Sequence, residues 1–137
     1  MSKVVSVRLR DEQVQRLGRA ARRLGRTPSE ALVALLEEAL RLRDFAFVEF
    51  RDSPVGRQAY LQGTRLAVWQ VAKLARVFPD PAELANQLSI PAVQVRAALA
   101  YAAAYPDEIE AAIADSQQSQ DALRRLLPNL EAVDVEP

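Results

Sequence analysis

The chain has 137 residues, half of them hydrophobic, which suffices for one domain or two small ones with a buried core. It contains no histidine and no cysteine, which excludes the usual catalytic triads, most zinc sites and any disulfide framework. No apolar run approaches the length of a membrane span, and the first residues do not read as a secretory signal. We therefore expect a cytoplasmic binding protein and not an enzyme, with no metal site, no cofactor and no membrane partner.

The formal net charge of zero hides an uneven distribution of charge along the chain. Residues 1–43 carry ten basic against five acidic side chains, and residues 44–105 carry six against five. Residues 106–137 carry two basic against eight acidic side chains. A basic beginning and an acidic end suggest two different partners, although ordinary solvated helix faces would also explain both.

The first predicted element is a strand at residues 4–9, where apolar residues alternate with others. Strand side chains alternate between two faces, so the face to be buried carries Val5, Val7 and Leu9. Arginine can bond guanine through two hydrogen bonds and serine can bond several bases, so the outward face is a candidate for reading DNA. One short strand cannot hold a fold by itself, and we expect a second copy of the chain to pair with it. The outward face carries Val4, Ser6, Arg8 and Arg10.

Two amphipathic helices are predicted next. Asp11 is the expected N-cap of the first helix, and Gly25 is its expected left-handed stop. The second helix is expected to run from Pro28 to about Arg43. Its apolar face is wider than a single neighbouring element would cover. A helix at the centre of a dimer needs an apolar face of this width.

The start of the second helix has the sequence of a capping box, with Thr27 as the cap and Glu30 three residues later. Exposed backbone N–H groups at a helix start favour an anion. Thr27 and Ser29 are therefore candidate contacts to a DNA phosphate, although the same residues could be simple caps without a ligand.

This order of strand, helix and helix, with Gly-Arg-Thr-Pro-Ser-Glu at residues 25–30, resembles the ribbon-helix-helix repressors of the Arc and MetJ type. The resemblance covers residues 3–43. It implies an intertwined dimer whose antiparallel ribbon enters the DNA major groove, with Val4, Ser6 and Arg8 reading bases and the backbone around residues 27–29 holding phosphate. Val4 departs from the polar residue that is usual at the first reading position.

Residues 45–115 form the second predicted domain. An aromatic-rich joint at residues 45–50 and a turn at residues 52–56 precede short extended segments around a glycine turn. Helices are then expected from about Val68, over residues 80–88 and 91–104, and from Pro106 to about Asp115. The two middle helices, joined by a tight turn, are typical of a helix-turn-helix.

Gly63-Thr64-Arg65, Val68-Trp69 and the run at residues 95–102 make residues 57–113 resemble a small winged-helix-like family of long-uncharacterised function. Members of that family look like antitoxins encoded beside PIN-like ribonuclease toxins, so the resemblance implies a toxin partner. From the residues themselves, Trp69 is expected to anchor the core and Gly63 to occupy a positive-φ turn.

Candidate partner-binding residues lie in the second domain and in the tail. Arg65 could pair with Asp52 or Glu49, or it could contact a partner. Residues 116–120 are expected to be a polar linker, followed by a short amphipathic helix and an acidic end that could fold on a partner or fray. The candidates are Arg65, Gln94, Arg96, Leu123, Leu126 and Leu127.

The sequence thus predicts a mainly α protein with a ribbon-helix-helix domain at 1–44, a winged-helix-like helix-turn-helix domain at 45–115, and a linker with an acidic tail at 116–137. The expected function is that of a type II antitoxin. It would bind double-stranded operator DNA as a homodimer, repress its own operon and neutralise a PIN-like toxin. With that toxin it could form a higher oligomer. The alternatives are a stand-alone transcription regulator, a nuclease using Asp or Glu, and a DNA-partition or architectural protein.

Overall fold

A computed structural model describes residues 2–126, which form six α-helices and one two-stranded antiparallel sheet. The mainly helical class is therefore confirmed. The chain divides into two compact units, residues 1–43 (the N-terminal unit) and the residues from 44 onward (the C-terminal unit). In chain order the elements are α1 (Asp11–Leu24), α2 (Pro28–Asp44), β1 (Val48–Ser53), β2 (Gly56–Leu61), α3 (Val68–Ala75), α4 (Pro81–Leu88), α5 (Ala92–Ala104) and α6 (Pro106–Leu126).

Residues 3–10 have no regular secondary structure in the single chain, and α1 begins directly after them. The predicted N-cap, Asp11, is wrong by one residue, because Arg10 has the extended cap conformation and Asp11 is already helical. The side chain of Gln13 accepts a hydrogen bond from the Arg10 backbone N–H at 2.9 Å. Asp11 instead lies in the first turn, where its negative charge interacts favourably with the positive end of the helix.

The turn between α1 and α2 follows the prediction. Gly25 is left-handed with φ 64°, a conformation that glycine adopts without steric cost. The Gly25 N–H donates to the Arg22 carbonyl at 3.2 Å, and the Arg26 N–H donates to the Ala21 carbonyl at 2.9 Å. This pair of bonds is a Schellman motif, which satisfies the last carbonyl groups of α1. Pro28 then begins α2, as expected.

The N-terminal unit has almost no interior. Its only fully buried hydrophobic residues among those described are Ala21 and Ala31, one on each helix. The large apolar side chains remain accessible to solvent, including the two valines on the predicted inward face of the strand. The exposed large hydrophobic residues of this unit are Val4, Val5, Val7, Leu9, Val14, Leu32, Val33, Leu35, Leu36, Leu40 and Leu42.

The C-terminal unit begins with a β-hairpin. Strands β1 and β2 pair antiparallel from Val48 opposite Leu61 to Ser53 opposite Gly56. The predicted turn at residues 52–56 connects them, but the predicted joint at residues 45–50 is wrong in its second half, because β1 begins at Val48. Gly63 has the expected positive φ of 71°, and the chain then returns so that Ala67 bridges to Tyr60.

Helices α3, α4, α5 and α6 pack with the hairpin around one hydrophobic core, and Tyr101 of α5 is its largest fully buried side chain. The Tyr101 ring meets the rings of Phe45, Phe50 and Tyr105 at centroid distances of 5.2, 6.3 and 4.9 Å. Its hydroxyl donates to a Glu108 carboxylate oxygen at 2.6 Å. The aromatic residues after α2 therefore belong to this core.

Two predicted boundaries need correction. Pro91, predicted as the first residue of α5, is its N-cap. More importantly, residues 116–120 are not a linker, because α6 continues without a break from Pro106 to Leu126. The segment lacks glycine and proline, and glutamine has a favourable helix propensity, so its polarity does not interrupt the helix. The remainder of the predicted tail lies outside the described residues.

Candidate nucleic-acid interface

The predicted base-reading residues all belong to the N-terminal segment, and all are exposed. The side chains of Val4, Ser6, Arg8 and Arg10 project into solvent. The opposite face is exposed as well, since Val5 and Val7 are 83% and 65% accessible. The strand is therefore not formed within one chain. Its pairing with a second copy stays a prediction, and both faces of the segment are open to receive one.

The start of α2 forms the predicted capping box. The Glu30 N–H donates to the Thr27 hydroxyl at 3.2 Å, and the Thr27 N–H donates to the Glu30 carboxylate at 3.1 Å. Hydrogen bonding by Thr27 holds the pKa of Glu30 below its ordinary value, first through the side chain and then through the backbone, with a further contribution from Arg26. The Glu30 carboxylate is thus ionised near neutral pH and lies at this helix start.

This arrangement changes the predicted phosphate contacts. The backbone N–H and the hydroxyl of Thr27 are both engaged within the box, and Pro28 has no N–H to offer. Ser29 is exposed, and within residues 2–126 its backbone N–H and hydroxyl form no hydrogen bond. Of the two predicted contacts, Ser29 therefore keeps its donors available, whereas Thr27 stabilises the helix start.

Sequence reasoning counted the arginines of α1 as charge but did not place them on a surface. Every arginine of α1 is exposed, and so is Arg26 in the turn that follows. Within residues 2–126 none of these guanidinium groups forms an ion pair or a hydrogen bond. Their spacing of three and four residues could have revealed the common face. We call this set the arginine stripe, and it consists of Arg16, Arg19, Arg22, Arg23 and Arg26.

The predicted partner-binding residues are distributed over three parts of the C-terminal unit. Arg65 is exposed in the connection between β2 and α3, Arg96 is exposed on α5, and Gln94 on the same helix is half-buried instead of exposed. Leu123 and Leu126 are exposed in the last described turns of α6. No hydrogen bond or ion pair joins these residues to one another in the described part of the chain. Leu127 lies outside the described residues.

Arg65 pairs with neither of its predicted acidic neighbours. Arg51 of β1 donates a hydrogen bond of 2.7 Å to the Glu49 carboxylate, and it also donates to the Thr64 carbonyl. Arg57 forms an ion pair with Asp52, with 3.3 Å between the guanidinium nitrogen and the carboxylate oxygen. Since both acids already have arginine partners, the intramolecular role predicted for Arg65 is wrong. Trp69, by contrast, packs against the core of the C-terminal unit as predicted, although it is only partly buried.

Among residues 2–126 there is no group of acidic side chains that could hold a metal ion, and no helix is long and apolar enough to cross a membrane. Comparison of the chain with protein-family models, with curated proteins and with solved structures finds no match. The residues themselves must therefore support any assignment of function.

Proposed function

We propose that this protein is a dimeric DNA-binding antitoxin, which represses its own operon through the N-terminal unit and neutralises a PIN-like ribonuclease toxin through the C-terminal unit. The observation that supports the proposal most strongly is the open apolar surface of the N-terminal unit. The later steps depend on the chemistry of the residues around that surface.

The N-terminal unit buries too little apolar surface to be stable by itself. Burial of one large aliphatic side chain contributes about 1.5–3 kcal/mol, and here only two alanines are fully buried. Two packed helices with a loose leading segment cannot offset the conformational entropy lost on folding with so little burial. A second molecule must therefore cover this surface.

The molecule that covers this apolar surface is another copy of the same chain. Residues 4–9 have the alternation of a half-buried strand and no partner strand within the chain. A twofold axis places two such segments antiparallel, which satisfies their backbone groups and directs Val5, Val7 and Leu9 toward the leucines of α2. One symmetric contact thus provides a partner strand for residues 4–9 and covers the apolar surface of the unit.

The solvent face of the paired segments is suited to DNA. A two-stranded ribbon fits the major groove, and in this pairing its solvent face carries Ser6, Arg8 and Arg10 from each copy. The N-terminal unit also has an excess of basic over acidic side chains. Ser29 at the start of α2 is available to donate to a phosphate at the groove edge.

A first experiment tests the DNA-binding half with duplexes from the protein's own promoter region. Changing Arg8 to Ala should weaken specific binding by about 1–3 kcal/mol, because a bidentate base contact is lost. Arg65→Ala removes the same charge from an exposed site of the C-terminal unit and should leave affinity unchanged. If Arg8→Ala keeps both the affinity and the sequence preference of the native protein, the ribbon assignment is wrong.

A second experiment tests the antitoxin half by co-purification with the product of the neighbouring gene. A stoichiometric PIN-like protein whose toxicity this chain suppresses is the expected result. The C-terminal unit has a closed core and exposes Arg65, Arg96 and Leu126, so it offers a preformed surface for such a partner. If the chain binds its promoter but no neighbouring protein co-purifies, the stand-alone regulator replaces the antitoxin.

A further inference from the structure

We infer that the arginine stripe of α1 is a second DNA contact, which binds the phosphate backbone beside the groove and does not read bases. The inference rests on the proposed DNA-binding function and extends it to a face of the unit that the ribbon does not use. The supporting features are the position of the stripe, the absence of ion pairs to its guanidinium groups within residues 2–126, and its distance from the base-reading segment.

The stripe lies on the side of α1 away from its buried residue. Ala21 is fully buried and Leu17 and Leu24 are half-buried, which defines the inner side of the helix. Arg22 projects from the opposite side, whereas Arg16, Arg19 and Arg23 line the edge of the groove between α1 and α2. Dimerisation through the apolar surface therefore leaves Arg22 in solvent and places the other three exposed guanidinium groups at the edge of that surface.

The charges of the stripe are not balanced within the unit. The acids of α1 itself, Asp11 and Glu12, are confined to its first turn. On α2, Glu37 pairs with Arg41, Glu38 is also engaged, and Glu30 belongs to the capping box beside Arg26. The unit as a whole carries ten basic against five acidic side chains. Arginines close together on one helix face repel one another, so the folded unit gains stability from any polyanion that neutralises them.

The distance from the base-reading segment favours DNA over other polyanions. At 1.5 Å per residue, Arg16 lies about 8 Å and Arg23 about 18 Å along the axis from Asp11, the first residue of α1. The major groove is about 12 Å wide, so a helix that leaves a ribbon in the groove crosses the phosphate rim within about two turns. Arg19, Arg22 and Arg23, about 12 to 18 Å along the axis from Asp11, directly follow this crossing and come within side-chain reach of phosphates that flank the contacted bases.

The experiment measures the salt dependence of binding for the full-length protein. The probes are a duplex selected by the native protein from a random pool and a scrambled duplex of equal length. The variant is Arg19→Gln/Arg22→Gln/Arg23→Gln. Each lost phosphate contact reduces the slope of log K against log salt by about 0.9, so a dimer that loses four to six contacts should show a slope shallower by roughly 4 to 5. The ratio of selected to scrambled affinity should stay unchanged, since phosphate contacts carry no sequence information.

Two matched variants complete the experiment. The lysine triple at residues 19, 22 and 23 keeps the charge and should retain most of the native slope. Arg76→Gln/Arg124→Gln/Arg125→Gln removes three exposed charges from the C-terminal unit and should also retain it. Ethylation interference should show flanking phosphates whose modification weakens binding by the native protein but not by the Arg19/Arg22/Arg23 glutamine variant.

The outcomes separate this inference from the proposed function. If the native protein selects a sequence but the stripe variant has the native slope, the inference is overturned and the proposed function stands. If the stripe variant dissociates into monomers in sedimentation, the arginines bind acids of the second copy, and the inference is also overturned. If the native protein enriches no sequence from the pool, yet its binding to the scrambled duplex shows the stripe-dependent slope, the proposed operator binding fails while the phosphate contact remains.

Discussion

The two units of this chain treat their apolar residues in opposite ways. In the C-terminal unit the hairpin and four helices enclose one core, and Leu61, Val68 and Tyr101 are fully buried. In the N-terminal unit Leu36 is 55% accessible and the only buried hydrophobic residues described are alanines. We therefore expect the C-terminal unit to fold as a monomer and the stability of the proposed N-terminal dimer to depend on protein concentration.

The largest effect is expected in the closed unit, at its aromatic centre. Changing Tyr101 to Ala removes three ring contacts and leaves a cavity, which should cost about 3–5 kcal/mol of unfolding free energy. Trp69 is the only tryptophan of the chain and packs against this core, so its fluorescence during urea denaturation measures the loss.

Tyr101→Phe is the matched control for that change. It keeps the ring and removes the hydroxyl that donates to Glu108, so the expected cost is only about 1 kcal/mol. Dimerisation of the N-terminal unit should be unchanged in both variants. Equal losses for alanine and phenylalanine would show that the hydrogen bond, and not the aromatic packing, stabilises the unit.

The open unit should respond to a change that leaves the closed unit intact. Leu36→Glu places a charge at the centre of the exposed apolar face of α2. Burying that charge in a dimer should weaken association by about 3 kcal/mol, or more than 100-fold in the dissociation constant. Sedimentation equilibrium measures the dissociation constant, and the Trp69 unfolding curve should not move.

The matched control is Gln15→Glu, which adds the same charge to an exposed position on the outer side of α1. This variant should dimerise like the native protein. A Leu36→Glu chain that still dimerises normally would show that the twofold contact does not use this face of α2.

Local signals explain which parts of this fold were predictable from sequence. The Schellman turn at Gly25 and the capping box of Thr27 and Glu30 depend on residues within five positions of one another, and both helix boundaries were predicted correctly. The N-cap of α1 was misplaced because Arg10 is a poor cap by residue type. The Gln13 side chain provides the hydrogen bond there.

Non-local contacts explain the errors. Strand β1 alternates Val48 and Phe50 with Glu49 and Arg51 over only four residues, directly after further aromatic residues, so its pairing with β2 is needed to identify it as a strand. The polar run at residues 116–120 resembles a linker in composition, yet it continues α6 because nothing in it breaks a helix. At the candidate interface, the sequence identified Arg8 but left open whether Thr27 caps the helix or contacts a phosphate, and the hydrogen bonds of the box engage both of its donors.

The smallest effect is expected at the capping box of α2, which stabilises the helix start and lies beside the candidate phosphate contact. Thr27→Ala should destabilise the N-terminal dimer by about 1 kcal/mol at neutral pH, because the first turn of α2 loses its side-chain cap. Thr27→Ser keeps the hydroxyl and should behave like the native protein. Circular dichroism during urea denaturation, compared with the unaffected Trp69 signal, isolates the change to this unit.

The pH dependence distinguishes this cap from ordinary packing. Thr27 lowers the pKa of Glu30 in the folded state, so the contribution of the ionised carboxylate is fully present above the unfolded pKa of about 4.3. It is lost as the pH falls through the lowered folded pKa. The stability difference between the native protein and Thr27→Ala should therefore shrink between neutral pH and pH 3. A difference that stays constant over that range would mean that Thr27 acts through its hydroxyl alone, and that the Glu30 carboxylate leaves the helix start open to a phosphate.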